Sequence, residues 1–139
     1  MDANTKKKLQ EQKDFQIRFV DSMPREEIPF FERSSHLLFS AEVNPPCPNS
    51  VIEALACGLP VVGFDTGSLS ELVQGDAGRL AVHGANPWKL EQPDIASLAE
   101  AAYEVLRDND RFRKSARERA EAVFGLDTMV DEYLKVLLD

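Results

Sequence analysis

A three-layer α/β sandwich is the fold class this sequence predicts, with a reduced parallel sheet of about four strands closed by C-terminal helices. Three observations lead there. Short apolar stretches alternate with helix-patterned ones through most of the chain, which is how βαβ units read. The stretch "LPVVGF", residues 59–64, is apolar almost without a break, as suits a strand covered on both faces. Beyond Pro93 the apolar residues recur only at helical spacing.

The elements follow in order. The segment up to about Asp14 is polar and helix-favouring. "FQIRFV", Phe15 to Val20, alternates apolar and polar and reads as the first strand. "MPREEIPFFERSS" is a short helix, with Pro24 suited to its first turn and Glu26 and Glu27 near its positive end. "HLLFSA", His36 to Ala41, is a second strand. Asn49 or Ser50 caps a helix through Cys57, and Gly58 ends it. "LPVVGF" is the third strand. "TGSLSELVQ" is a turn and a short helix, and "GRLAV", Gly78 to Val82, is the fourth strand. Ile95, Leu98, Ala99, Ala102, Val105 and Leu106 share one face of a long helix. A charged helical stretch and a final amphipathic helix, "DTMVDEYLKVLL", complete the chain. The whole reads as Rossmann-like.

The bulk numbers narrow the functions. The chain has 139 residues, a net charge of −8 and a sequence pI near 4.8. A broad nucleic-acid footprint needs basic patches, so no nucleic-acid partner is expected. No apolar run approaches the roughly 18 residues of a transmembrane segment, and the polar start is no signal peptide. A cytoplasmic location is the expectation. Cys47 and Cys57 flank one helix and are expected too far apart for a disulfide. Neither His36 nor His83 stands at metal-ligand spacing to them, so no metal site is expected.

The stretch "NPPCPNSVIEALACGLPVVGFDTG", Asn44 to Gly67, carries the chemistry. In an open parallel sheet, ligands bind outside the carboxyl ends of the strands. A proline-stiffened loop sits at such an end and feeds a helix N-terminus. The free backbone N–H groups there, near Ser50 and Val51, with the helix dipole behind them, suit an anion. Glu53 lies about one turn further in, where a carboxylate accepts two hydroxyls of a ribose. Phosphate on the amides and ribose on the acid together describe a nucleotide diphosphate.

"PCPNSVIEALACGLPVVGFDTGSLSELV" resembles the C-terminal, donor-binding half of GT-B retaining glycosyltransferases of family 4, the glycosyl transferases group 1. The resemblance implies a partial GT-B C-terminal domain spanning 1–139, acting on a UDP-, GDP- or ADP-sugar with no cofactor. By the same resemblance Glu53 binds the ribose hydroxyls. Pro48, Asn49, Ser50 and Val51 bring backbone groups to phosphate and sugar. The loop from Val20 to Ser22, including Asp21, lines the base. No residue is expected to act as general base.

The match has two departures. Eight residues before Glu53 the family usually places an acid that touches the donor sugar, and this chain has Pro45. The family's donor domain also begins with two further strands and an Arg–Lys pair that clamps the diphosphate, without counterpart here. The resemblance therefore implies a truncated donor domain, active only with an upstream acceptor-domain polypeptide. The other reading is a catalytically inactive nucleotide-sugar-binding module or remnant. Within the motif, Cys47 and Cys57 read as small buried residues; outside it, His83 reads as part of an exposed loop and Trp88 as a lid on a local apolar patch.

Overall fold

The computed structural model describes residues 2–12, 14–20 and 22–138. A three-stranded parallel sheet forms its centre, in the order β1 (Leu38–Ser40), β2 (Val61–Phe64), β3 (Gly78–Ala81). Leu38 pairs with Val61, and Val61 with Gly78. The helices are α1 (Ala3–Gln10), α2 (Ile28–Ser34), α3 (Asn49–Ala56), α4 (Leu69–Leu72), α5 (Ile95–Arg107), α6 (Asn109–Val123) and α7 (Leu126–Leu138).

The alternation of β2 sets the layers. Val61 joins Val51, Ala54 and Leu55 of α3, Leu69 and Leu72 of α4, and Ala116 and Ala120 of α6. Val62, one residue on, faces the other way and joins Ala81, Leu98 and Val105 of α5, and Phe112. Successive strand residues point to opposite faces, so one strand feeds two cores. Each fully buried Val or Leu contributes roughly 1.5–3 kcal/mol. α6 contributes to both cores and closes the side of the sandwich.

α3 ends as its sequence requires. Gly58 has φ of +68°, its N–H donates to Leu55, and the Leu59 N–H reaches back to the Ala54 carbonyl at 2.8 Å. This is a Schellman closure, and it delivers the chain straight into β2.

Several expectations are corrected. Among the described residues, 15–20 form no ladder, so the sheet has three strands rather than four. The alternation is present, with Ile17 and Phe19 half-buried between exposed neighbours. A strand needs a partner for its N–H and C=O groups. α2 starts at Ile28, so Pro29, not Pro24, occupies its first turn. Pro48, not Asn49 or Ser50, is the N-cap of α3, with no side-chain hydrogen bond. Ile95 and Leu106 of α5 remain exposed, because its inward face is carried by Leu98 and Val105.

Candidate functional site

All three strands run parallel, so the loops at their carboxyl ends gather on one side of the sheet. The loop after β1 is pinned to the loop after β2. The Ser68 N–H donates to the Pro45 carbonyl at 2.9 Å, and the Asn44 N–H donates to Thr66 Oγ1 at 3.4 Å. Pro45 and Pro48 are buried, and Thr66 is buried beneath them. The start of α3 is thereby held rigidly.

Asn49 and Ser50 occupy the first turn of α3 and are exposed; their N–H groups take no protein acceptor among the described residues. Val51 differs from expectation: its N–H donates to the Pro48 carbonyl at 3.0 Å and its side chain lies in the core. Two free amides at the positive end of the helix thus remain for an anion. Ser22 is exposed and does not line the cavity that holds Glu53. Asp21 lies outside the described residues.

Glu53 is exposed and lines a cavity of about 260 Å³ between α2 and α3, with Arg25, Ile28, Pro29, Glu32, Ala56 and Cys57. The walls are largely apolar and three charged side chains converge on it. Burial pushes the Glu32 carboxyl above the ordinary glutamate range; a Cys57 hydrogen bond opposes this, and the nearby Glu53 charge adds to it. Burial and the Glu32 carboxylate push the Cys57 thiol up, so Cys57 is no activated nucleophile.

Arg25 and Glu32 line the Glu53 cavity, and sequence reasoning did not single them out. The signal for Glu32 is faint: Ile28 and Glu32 stand four apart, hence on one face of α2. Glu71 sits exposed on α4, and its carbonyl accepts from Arg119 Nη2 at 2.8 Å, a structural role.

The two cysteines, His83 and Trp88 depart from expectation. Cys47 is exposed, held out between two prolines, and Cys57 is half-buried; both are free. His83 is buried, its Nδ1 3.2 Å from the Ala85 carbonyl and its ring against Phe64. Trp88 is 80% exposed on a single turn and covers no patch. Among the described residues no helix is long and apolar enough to cross a membrane.

In open parallel α/β sheets ligands bind outside the carboxyl ends of the strands, where this chain places the free amides of α3. Residues 2–123 match the family described as glycosyl transferases group 1, and the chain belongs to it. It is 28% identical over 92 residues to N-acetyl-alpha-D-glucosaminyl L-malate synthase of Bacillus anthracis, covering 64% of this chain and 22% of that protein. It is 25% identical over 107 residues to 2-deoxystreptamine N-acetyl-D-glucosaminyltransferase of Streptomyces fradiae, covering 77% of this chain and 24% of that protein. Among solved structures, sucrose-phosphate synthase from Thermosynechococcus elongatus superposes with a TM-score of 0.69 at 23% identity. That match covers 88% of this chain and 31% of the synthase, and it identifies part of a GT-B fold. The chain thus spans under a third of the length of these relatives.

Proposed function

We propose that this chain carries the nucleotide-sugar donor site of a retaining glycosyltransferase. The observation that carries the reading is the placement of Glu53. It stands one turn inside α3, on a small apolar-walled cavity, beyond the free amides of Asn49 and Ser50. A ribose of the donor hydrogen-bonds Glu53 while the diphosphate lies on those amides. The helix dipole and the amides stabilise charge as it develops on the departing diphosphate. This half supplies no general base, and the reading requires no metal or cofactor. The sugar is transferred only when an acceptor domain, on the same or another polypeptide, closes over the site. Both curated relatives bear N-acetylglucosaminyl names, so UDP-N-acetylglucosamine leads the donors to be tried.

A second reading is supported by Pro45. It is buried where the family usually has an acid, and its carbonyl is already tied to Ser68. Such a site holds a nucleotide sugar without transferring it.

A thermal-shift screen against UDP, GDP, ADP and their sugar conjugates tests the donor site. A nucleotide at a hundred times its Kd adds about 2.7 kcal/mol of stability. The expected result is a shift with one nucleotide that Glu53→Gln removes. No shift from a cooperatively melting chain would contradict the reading.

A further inference from the structure

Glu32 sits on the wrong side of its helix for a charged residue. α2 turns Phe30 and Phe31 to solvent and Glu32 inward, at 9% exposure. Its Oε2 has no hydrogen-bond partner among the described residues. A buried carboxylate oxygen left without a donor is costly unless the group is neutral or gains a partner. Glu32 shares its cavity with Glu53, between the apolar walls of Ile28, Pro29 and Ala56. The other charged groups around it are few. Arg25 faces it from the turn before α2, and Cys57 from the end of α3. Arg33 of its own helix lies with Arg113, Lys114 and Arg117 of α6 along the adjoining groove, on the far side of Cys57. Of these α6 cations, Arg113 is bonded to the Ser35 carbonyl and Arg117 to the Ala56 carbonyl.

We propose that Glu32 is a positioning residue for Glu53, and that binding of a nucleotide diphosphate with its ribose on Glu53 takes up one proton on the Glu32 carboxyl. The inference rests on the donor-site reading above. Glu53 must stay ionised to accept two ribose hydroxyls, and the diphosphate brings further negative charge. Two carboxylates on one small cavity, Glu32 buried within it, resist being charged together. The proton therefore goes to Glu32, whose unpartnered Oε2 is the free acceptor for it. Neutral Glu32 leaves Glu53 as the single anion on the cavity, aimed at the ligand. Ionised Glu32 repels Glu53 and spoils that aim. Burial already holds the Glu32 carboxyl above the ordinary glutamate range, in the same direction.

Calorimetric titration with UDP, GDP and ADP, at pH values from about 5.5 to 8 in two buffers of different ionisation enthalpy, counts the protons. The expected result is net uptake approaching one proton per nucleotide, with Kd weakening up to about tenfold per pH unit through the titration of Glu32. Glu32→Gln abolishes the uptake and flattens the pH profile; Glu32→Asp restores both in part. Carbon-13 titration of the glutamate carboxyls in the wild-type chain reads the same coupling without a variant, as a Glu32 midpoint that nucleotide moves upward. Binding without uptake, or uptake that persists in Glu32→Gln, overturns this inference and leaves the donor site standing. Failure of every nucleotide to bind at every pH overturns the donor-site reading and this inference together.

Discussion

The Ser68 N–H donates to the Pro45 carbonyl at 2.9 Å, and this bond joins the loop that opens α3 to the loop that follows β2. Gly67 sits in the crook of that junction. Its φ is +57°, and a Cβ there would lie 2.4 Å from the Pro45 oxygen and 2.5 Å from the Pro45 nitrogen. Both obstacles are backbone, so neither can rotate aside. Gly67→Ala should cost roughly 2 kcal/mol or more from strain and forced separation of the loops. Urea denaturation measures the loss. The nucleotide-induced thermal shift should fall with it, because the free amides of α3 lose their anchor.

Phe112 makes a second prediction. It is fully buried on α6, and the guanidiniums of Arg79 and Arg111 lie 4.5 and 4.7 Å from its ring centre. Asp76 ties both arginines, at 2.9 and 3.3 Å. Phe112→Ala removes the largest side chain of the α5-side core and should cost roughly 3–5 kcal/mol in chemical denaturation. Asp76→Asn keeps the ring in place and should cost far less, since these ion pairs are partly solvated.

Stability should respond to pH through two acids with opposite signs. The folded chain holds a proton on Glu32 more tightly than the unfolded chain. The contribution of Glu32 is therefore full below the ordinary value of 4.5 and is lost as pH rises toward its raised folded value. Asp94 is the reverse case. Hydrogen bonds from the Ser97 hydroxyl and N–H hold its carboxyl low, so its capping of α5 contributes above the usual 3.8 and is lost as pH falls. In melting curves across pH, the advantage of Glu32→Gln over wild type should grow above about pH 4.5. The deficit of Asp94→Asn should shrink in acid.

The β1 edge makes a fourth prediction. Among the described residues β1 pairs only with β2, and Phe39 on β1 is 49% exposed. An open apolar edge invites pairing with another chain. The isolated chain should self-associate as its concentration rises, and Phe39→Lys should reduce this in light scattering without lowering the melting temperature.

The parts of the fold that were legible were those where one physical rule acts alone. "LPVVGF" is apolar on both sides because β2 feeds two cores, and Gly58 ends α3 because only its left-handed conformation lets Leu59 bond back to Ala54. Glu53 stood out in the sequence because an acid in an apolar helix after a stiff loop has few structural reasons to be there. Phe15–Val20 was misread because alternation is a property of the segment, while a strand is a property of a pair. Glu32 was invisible because α2 inverts the usual pattern, and Arg25 because it stands in the turn before that helix. Its phenylalanines face out and its carboxylate faces in, and only the packing of α2 on α3 reveals which face is which.

Amide chemical-shift mapping of the nitrogen-15-labelled chain with the nucleotide found in the thermal screen tests the donor site most directly. The account predicts the largest changes at Asn49, Ser50 and Glu53, together with Arg25 and Ile28 across the cavity, and their loss in Glu53→Gln. Changes centred instead on the charged groove of Glu100, Glu104, Arg107 and Arg111, at the α5–α6 corner, would contradict it.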